Sequence, residues 1–276
     1  MNSEKLRSCI LDNYEFVLLD EVDSTNDYAK RIAKSGAQDR TIVIARSQTS
    51  GKGRCGRNFE SNADKGIFMT LLLMPDMLPQ DASRLTLVAA VAVREAIEEE
   101  TGISCSIKWP NDIVFDNKKL CGILTEMSTE QNRVKHIEVG IGVNVFNESF
   151  DESIDKVAIS LTQITNKSTG CAQADNNSRT NINTIDIEQL IGSIFCNFEK
   201  YYKLFLKDKS LEVVKPFYDK YLLNVDKVVT VIEHNGSYEA IAKGIDADGE
   251  LIVEKDGKLI KVMSGEVSIR GVFGYV

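Results

Sequence analysis

The chain has 276 residues, a formal net charge of −8, 43% hydrophobic and 27% charged residues. That length suits one large domain with room for a second, small one, and the balance describes an ordinary globular protein. A net acidic chain is poorly suited to bulk nucleic-acid binding, so no DNA partner is expected, and no run approaches the roughly 18–20 apolar residues of a membrane span.

Residues 14–22, YEFVLLDEV, read as a strand. DSTNDYAKRIAKSG follows as a helix with a capping signal, Ser24-x-x-Asp27, and a stop at Gly36. TIVIAR (41–46) is a short β-branched strand that feeds a glycine-rich loop, SGKGRCGRNF (50–59). KGIFMTLLLM (65–74) is strand-length and ends at Pro75. DASRLTLVAAVAVREAIEEETG places Leu85, Val88, Ala92 and Ala96 at helical spacing, with Gly102 as its C-terminal stop. Strands are expected over 105–109, 112–116, 120–128 and 135–145, with a hairpin turn at DNKK. Residues 162–185, rich in Asn, Thr and Ser, read as a solvated loop. Helices are expected over 185–207 and 210–223. Short β-rich runs from Val225 onward are separated at His234-Asn235-Gly236, Asp248-Gly249 and Asp256-Gly257 and suggest a small SH3-like barrel. The expected architecture is α+β with a mixed sheet, divided into domains at 1–224 and 225–276.

Six cysteines (Cys9, Cys55, Cys105, Cys121, Cys171 and Cys196) include no C-x-x-C pair, and only two histidines could join them. No zinc set is expected, and reduced thiols in the cytoplasm are the simplest reading. The N-terminus, MNSEKLRSCILDNYEF, lacks the apolar stretch of a signal peptide.

The glycine loop carries the first chemical question. Gly51, Gly53 and Gly56 fit G-x-G-x-x-G, but turn formers and then an apolar strand follow Gly56. A dinucleotide fingerprint needs a helix there, and the Walker pattern is missing as well. Two readings remain: a solvated basic surface loop, or a glycine-rich segment whose backbone approaches an anion that Lys52, Arg54 and Arg57 attract. A second cluster lies at IKWPNDIVFDNKKLCGILTE (107–126), where the single tryptophan, Trp109, precedes Pro110-Asn111-Asp112. The bland reading of PND is a turn; its placement beside Lys119 and Gly122 on one apolar hairpin points to more.

Five blocks in one order, DSTND, ARSQTSGKGRCGR, KWPNDIVFDNKKLCGILTE, VGIGVNV and GEVSIRG, resemble the biotin protein ligase family. The resemblance implies a catalytic domain like that of class II aminoacyl-tRNA synthetases plus an SH3-like C-terminal domain. It implies activation of biotin by MgATP to biotinyl-5′-AMP, then transfer to a lysine of a biotin carboxyl carrier protein. Monomer and homodimer both occur among such proteins. A lipoate-type ligase is the enzyme alternative, and a catalytically silent biotin sensor is the binding alternative.

The resemblance also implies roles for particular residues. Ser24, Thr25, Asn26 and Gln48 would meet the biotin ureido head, with Lys52, Gly53, Trp109 and Gly122 also lining its pocket. Ser24 has the bland alternative of a helix cap, and Phe59 that of a core residue. Arg54 and Lys119 would stabilise the carboxylate and phosphate as the adenylate forms. Arg57, Phe59, Asn111, Asp112 and Asn144 would contact the nucleotide, with Glu266 and Arg270 reaching it from the C-terminus and Asp112 taking Mg²⁺. Three positions depart from the family pattern: Lys52 and Cys55 where arginine is common, and Phe59 where tryptophan is. Arg54 and Arg57 beside Cys55 would favour its thiolate, which makes redox sensitivity an expectation to test. The catalytic blocks begin by residue 20, which leaves no room in this sequence for the helix-turn-helix repressor domain of some members.

Overall fold

The computed structural model describes residues 1–170, 185–233, 236–264 and 268–271, the last four and residues 55 and 168–170 by backbone only. The body runs α1 (Ser3–Cys9), β1 (Glu15–Val22), α2 (Thr25–Lys34), β2 (Thr41–Gln48), β3 (Gly66–Leu73), α3 (Pro79–Ala82) and α4 (Leu85–Thr101). It continues with β4 (Ser106–Lys108), β5 (Asp112–Phe115), β6 (Lys118–Glu130), β7 (Arg133–Asn144), α5 (Leu161–Gly170), α6 (Ile187–Asp208) and α7 (Lys215–Tyr221). Five strands close the chain: β8 (Val228–Glu233), β9 (Gly236–Ile245), β10 (Leu251–Lys255), β11 (Lys258–Val262) and β12 (Ser268–Gly271).

The first seven strands form one sheet in the order β1-β2-β3-β7-β6-β5-β4. Only β1 and β2 are parallel; the remaining pairs are antiparallel, so the sheet is mixed as expected. The period of two along the strands sorts their residues by face. Ile42, Ile44, Met69, Leu71, Val139 and Ile141 join the main core with the buried face of α4. On the opposite face Val43 and Leu72 pack with Ala29 of α2. Thr70, Glu138, Gly140 and Gly142 share that second face, and it carries the site. Both faces of β3 are covered, so all its residues are buried.

The C-terminal strands form an antiparallel sheet in the order β11-β10-β9-β8-β12. Its turns hold it against the body: the Trp109 indole donates to the Gly249 carbonyl at 3.0 Å, and Leu211 N–H donates to Ala247 O at 3.0 Å.

Local chemistry explains where elements start and stop. Gly36 and Gly102 take left-handed φ values of 94° and 69°, which ends α2 and α4 at the expected places. Asp116 and Asn117, both left-handed at 49° and 59°, make the two-residue turn of the β5–β6 hairpin. Two differences stand out. The expected solvated loop over 162–185 is helical at its start, where α5 is anchored by buried Leu161 and Ile164. Ser160 and Gln163 cap it reciprocally: Gln163 N–H donates to Ser160 Oγ at 3.1 Å and Ser160 N–H to Gln163 Oε1 at 3.2 Å. Residues 171–184 lie outside the described residues, as does the turn at His234-Asn235. The second difference is α1, whose start is fixed by Asn2 Oδ1 accepting from Glu4 N–H and Lys5 N–H.

Candidate active site

A pocket of about 440 Å³ lies where the N-terminus of α2 meets the glycine loop and the middle of β6 and β7. Ser24, Thr25, Asn26, Gln48, Lys52, Gly53, Arg54, Phe59, Lys119 and Gly122 all line it. Ser24 does occupy the N-cap position of α2, yet its hydroxyl caps nothing and makes no hydrogen bond among the described residues. It is 1% exposed. With no capping role and a place in the pocket wall, this hydroxyl is poised for an external group. Thr25 N–H and Oγ1 both donate to Gln48 Oε1, at 2.8 and 3.1 Å.

Three glycines on the paired strands β6 and β7 make the pocket possible. Gly122 stands opposite Gly142, and Leu124 opposite Gly140. A Cβ at Gly140 would lie 2.2 Å from Asn26 Oδ1, one at Gly142 2.7 Å from the Phe59 ring, and one at Gly122 2.7 Å from Lys119 Nζ. Each glycine is therefore a seat for one functional side chain. Gly140 and Gly142 are site residues that the sequence reading passed over; the alternation G-x-G inside a β-branched strand was the available signal.

A larger cleft, about 1200 Å³, opens on the other side of the same loop. Arg54, Arg57, Phe59, Trp109, Asn111, Asp112, Lys119 and Asn144 line it. Lys119 Nζ lies 2.8 Å from Asp112 Oδ1 and 5.7 Å from the centre of the Phe59 ring. Asn111 is held by its own amide, which donates to Ile123 O at 2.9 Å, and Asn144 by a 3.2 Å bond to Ile159 O. Tyr218 Oη donates to Pro110 O at 3.3 Å, and the Trp109–Pro110 peptide is cis. Trp109 stands in the wall of this second cleft and not in the smaller pocket, 2% exposed, its indole committed to Gly249.

The glycine loop separates the two cavities. It contains a single 3₁₀ turn, Arg54–Gly56, and no α-helix follows, in line with the rejection of a dinucleotide turn. Two of its cations, Lys52 and Arg54, are partnered. Lys52 Nζ pairs with Asp27 Oδ1 at 2.6 Å, which raises the lysine pKa. Arg54 donates to Asn111 Oδ1 at 3.2 Å and to the Ser264 carbonyl. The Arg57 side chain is exposed and carries no ion pair among the described residues. The side chains of Cys55 and Arg270 and all of Glu266 lie outside the described residues; the backbone of Arg270 belongs to β12. Gly53, Arg54, Phe59, Asn111 and Lys119 line both cavities and mark where they meet.

The profile of the Biotin/lipoate A/B protein ligase family matches residues 18–144, and that of the biotin protein ligase C-terminal domain matches residues 226–270. The bifunctional ligase/repressor BirA of Bacillus subtilis is 34% identical over 252 residues, spanning 91% of this chain and 72% of that relative. The chain belongs to the biotin protein ligase family. BirA of Escherichia coli is 27% identical over 261 residues, 94% of this chain and 75% of the relative. Among solved structures, the biotin protein ligase of Aquifex aeolicus in complex with biotin and ATP matches with a TM-score of 0.74 at 28% identity. The match covers 93% of this chain and 99% of that one. The fold is accordingly the synthetase-like α+β catalytic fold with a small SH3-like C-terminal sheet. Among the described residues, no helix is long and apolar enough to cross a membrane.

Proposed function

We propose that this biotin protein ligase condenses biotin with ATP across the Arg54–Lys119 junction and passes the biotinyl group to a carrier-domain lysine. The observation that carries the reading is the junction itself: a small pocket of neutral polar groups meets a larger cleft at two cations, Arg54 and Lys119. A cyclic urea offers one carbonyl acceptor and two N–H donors. Ser24 can donate to the carbonyl, while Thr25 and Asn26 offer acceptor oxygens. The biotin tail would run past Gly122 toward Lys119, and ATP would fill the larger cleft with its α-phosphate at the same lysine.

In the first step a biotin carboxylate oxygen bonds to the α-phosphorus while the bond to the bridging oxygen of the β-phosphate breaks, releasing pyrophosphate. Bringing a carboxylate to a triphosphate costs electrostatic work, and Arg54 and Lys119 offset it at the reacting atoms. Arg57, exposed at the cleft rim, suits the outer phosphates, and Phe59, Asn111 and Asn144 suit the nucleoside. In the second step the amine of the acceptor lysine bonds to the acyl carbon and AMP leaves. Cations at the junction also favour loss of the arriving ammonium proton.

A divalent ion fits the donor set. Asp112 is a buried carboxylate bordering the phosphate side, and Mg²⁺ takes one or two carboxylates plus phosphate oxygens and water. When bound it would neutralise triphosphate charge; Asp112 would hold it, and Lys119 would be released toward the carboxylate. Glu266 and Arg270 are proposed to reach the nucleotide from the C-terminal sheet. Trp109 is assigned to the ATP-side wall, and Cys55 remains a proposed oxidation-sensitive thiol. We divide the chain into a catalytic domain, 1–224, and a C-terminal domain, 225–276, acting in the cytoplasm on a carboxylase carrier domain as monomer or homodimer.

Pyrophosphate release on mixing the protein with MgATP and either biotin or lipoate tests the reading. Release with biotin alone is expected. Tight biotin binding with no release would leave a sensor, and release with lipoate alone a lipoate-type ligase.

A further inference from the structure

The glycine loop is built as a small flap. Its two limbs pair like a hairpin: Phe59 N–H donates to Gly51 O at 2.9 Å, Gly53 N–H donates to Arg57 O at 2.7 Å, and Lys52 bridges Asn58 between them. At the base, Ser50 N–H donates to Asp23 O at 2.8 Å. At the tip, Arg54 reaches Asn111 and the Ser264 carbonyl. Between base and tip the Lys52 side chain ties the edge of the flap to α2, with its Nζ 2.6 Å from Asp27 Oδ1.

That edge contact stands at an opening. An outer groove of about 1390 Å³ meets the small pocket along Lys52, Gly53, Arg54, Ile123 and Leu124, which line both. The ion pair is also dedicated. Asp27 lies in the first turn of α2, where the helix dipole favours negative charge, and it makes no other ion pair among the described residues. The carboxylates nearby are engaged elsewhere: Asp23 with Arg31 at 2.7 and 2.8 Å, and Glu126 with Lys30 at 2.6 Å. The hydrogen bond to Asp27 raises the Lys52 pKa, so the ammonium stays charged at neutral pH. With side chains 42% and 29% exposed, the two partners can part and rejoin without leaving a buried charge unpaired.

We propose that the Lys52–Asp27 pair is the latch of a kinetic gate between the outer groove and the small pocket, and that Asp27 is a positioning residue acting only through Lys52. This rests on the ligase reading, with biotin as the ligand of that pocket, and adds how biotin enters and leaves. The latch joins two protein groups and needs no ligand to form, so it holds the flap down before biotin arrives as well as after. A contact made equally in both states leaves the equilibrium affinity alone and slows passage in both directions. Its task therefore differs from that of Arg54, which fastens the tip of the flap beside the reacting atoms.

The test follows labelled biotin: rapid mixing gives its entry rate, and a chase with excess unlabelled biotin gives its exit rate. In Asp27→Asn both rates should rise about two- to fivefold, the range for one partly exposed ion pair, while Kd moves by less than about twofold. Asp27→Glu keeps the charge within reach of Lys52 and should stay close to wild type. In a Lys52→Gln chain the Asp27→Asn change should add less than about 1.5-fold, because the latch is already gone. Raising the ionic strength from about 0.05 to about 0.5 M should bring the wild-type exit rate toward that of Asp27→Asn, since salt screens the pair. Unchanged rates in Asp27→Asn overturn the proposal. A faster exit alone, with Kd rising in step, overturns it too, because the pair would then belong to the bound state and not to a gate. So does a full Asp27→Asn effect in the Lys52→Gln chain, which would place the loss in α2 itself. A wild-type chain that binds no biotin, or releases no pyrophosphate with biotin and MgATP, would instead sink the ligase reading.

Discussion

At the scale of single residues, Lys119 and Arg54 have different tasks despite their shared charge. Lys119 sits at the reacting atoms, held by Asp112 and bordered by Gly122. Lys119→Ala should lower the single-turnover rate of adenylate formation by roughly a hundred- to a thousandfold, the range for loss of one preorganised charge. Circular dichroism and Tm should stay close to wild type, because the side chain is 25% exposed and no core contact is lost. A wild-type rate would remove Lys119 from the chemistry. Arg54 instead ties the glycine loop to Asn111 and to the Ser264 carbonyl. Arg54→Gly should free that loop and let adenylate escape about ten- to a hundredfold faster, the worth of one or two charged hydrogen bonds. The measurement is release of biotinyl-AMP without an acceptor; retention equal to wild type would refute a closing role for the loop. Motif order pointed to both residues, but only the structure shows that Arg54 spans to the C-terminal sheet.

At the scale of elements, the β6–β7 pair acts as a floor whose glycines decide which side chains may lie on it. Gly140→Ala would drive a Cβ against Asn26 Oδ1, where the available separation is 2.2 Å. Asn26 cannot retreat, because Thr70, Glu126 and Leu124 hold it from three sides. The KM for biotin should rise by about tenfold or more, in keeping with the cost of an ångström-scale misplacement, while binding of ATP alone is preserved. Titration calorimetry with each ligand separates the two; equal losses for both would point to general unfolding of the floor. Strand existence was legible because β-branched runs and turn residues alternate along the chain. The helical start of the 162–185 stretch was not, since its polar composition masked a reciprocal Ser160–Gln163 cap and two apolar anchors. The α1 helix escaped for a similar reason: one buried residue, Leu6, anchors a short and otherwise polar segment.

At the scale of the whole molecule, the C-terminal sheet is fastened beside the site. Trp109 reaches Gly249 O, Arg84 Nη2 reaches the Asp248 carboxylate, and the Asp219 carboxylate accepts from Ile245 N–H at 2.9 Å. Trp109→Phe would keep an aromatic ring but leave the buried Gly249 carbonyl without its indole partner. That should cost about 1–3 kcal/mol and lower Tm by about 2–4 °C per kcal/mol. An unchanged Tm would mean that Trp109 serves the cleft alone. The tryptophan beside PND was visible as a signal; its attachment to a residue 140 positions away was not.

The amino-acid sequence by itself determined the sheet-forming runs, the helix stops at Gly36 and Gly102, the ordered motif blocks and the cations of the glycine loop. Each of these is written in local chemistry: period, backbone freedom, or charge. Tertiary structure decided which of those groups face one another. It set Gly122, Gly140 and Gly142 beneath three side chains drawn from elsewhere in the chain. It set Trp109 in the wall of the larger cleft, with its indole committed to Gly249. Such outcomes depend on strand register, which is fixed only when distant segments pair.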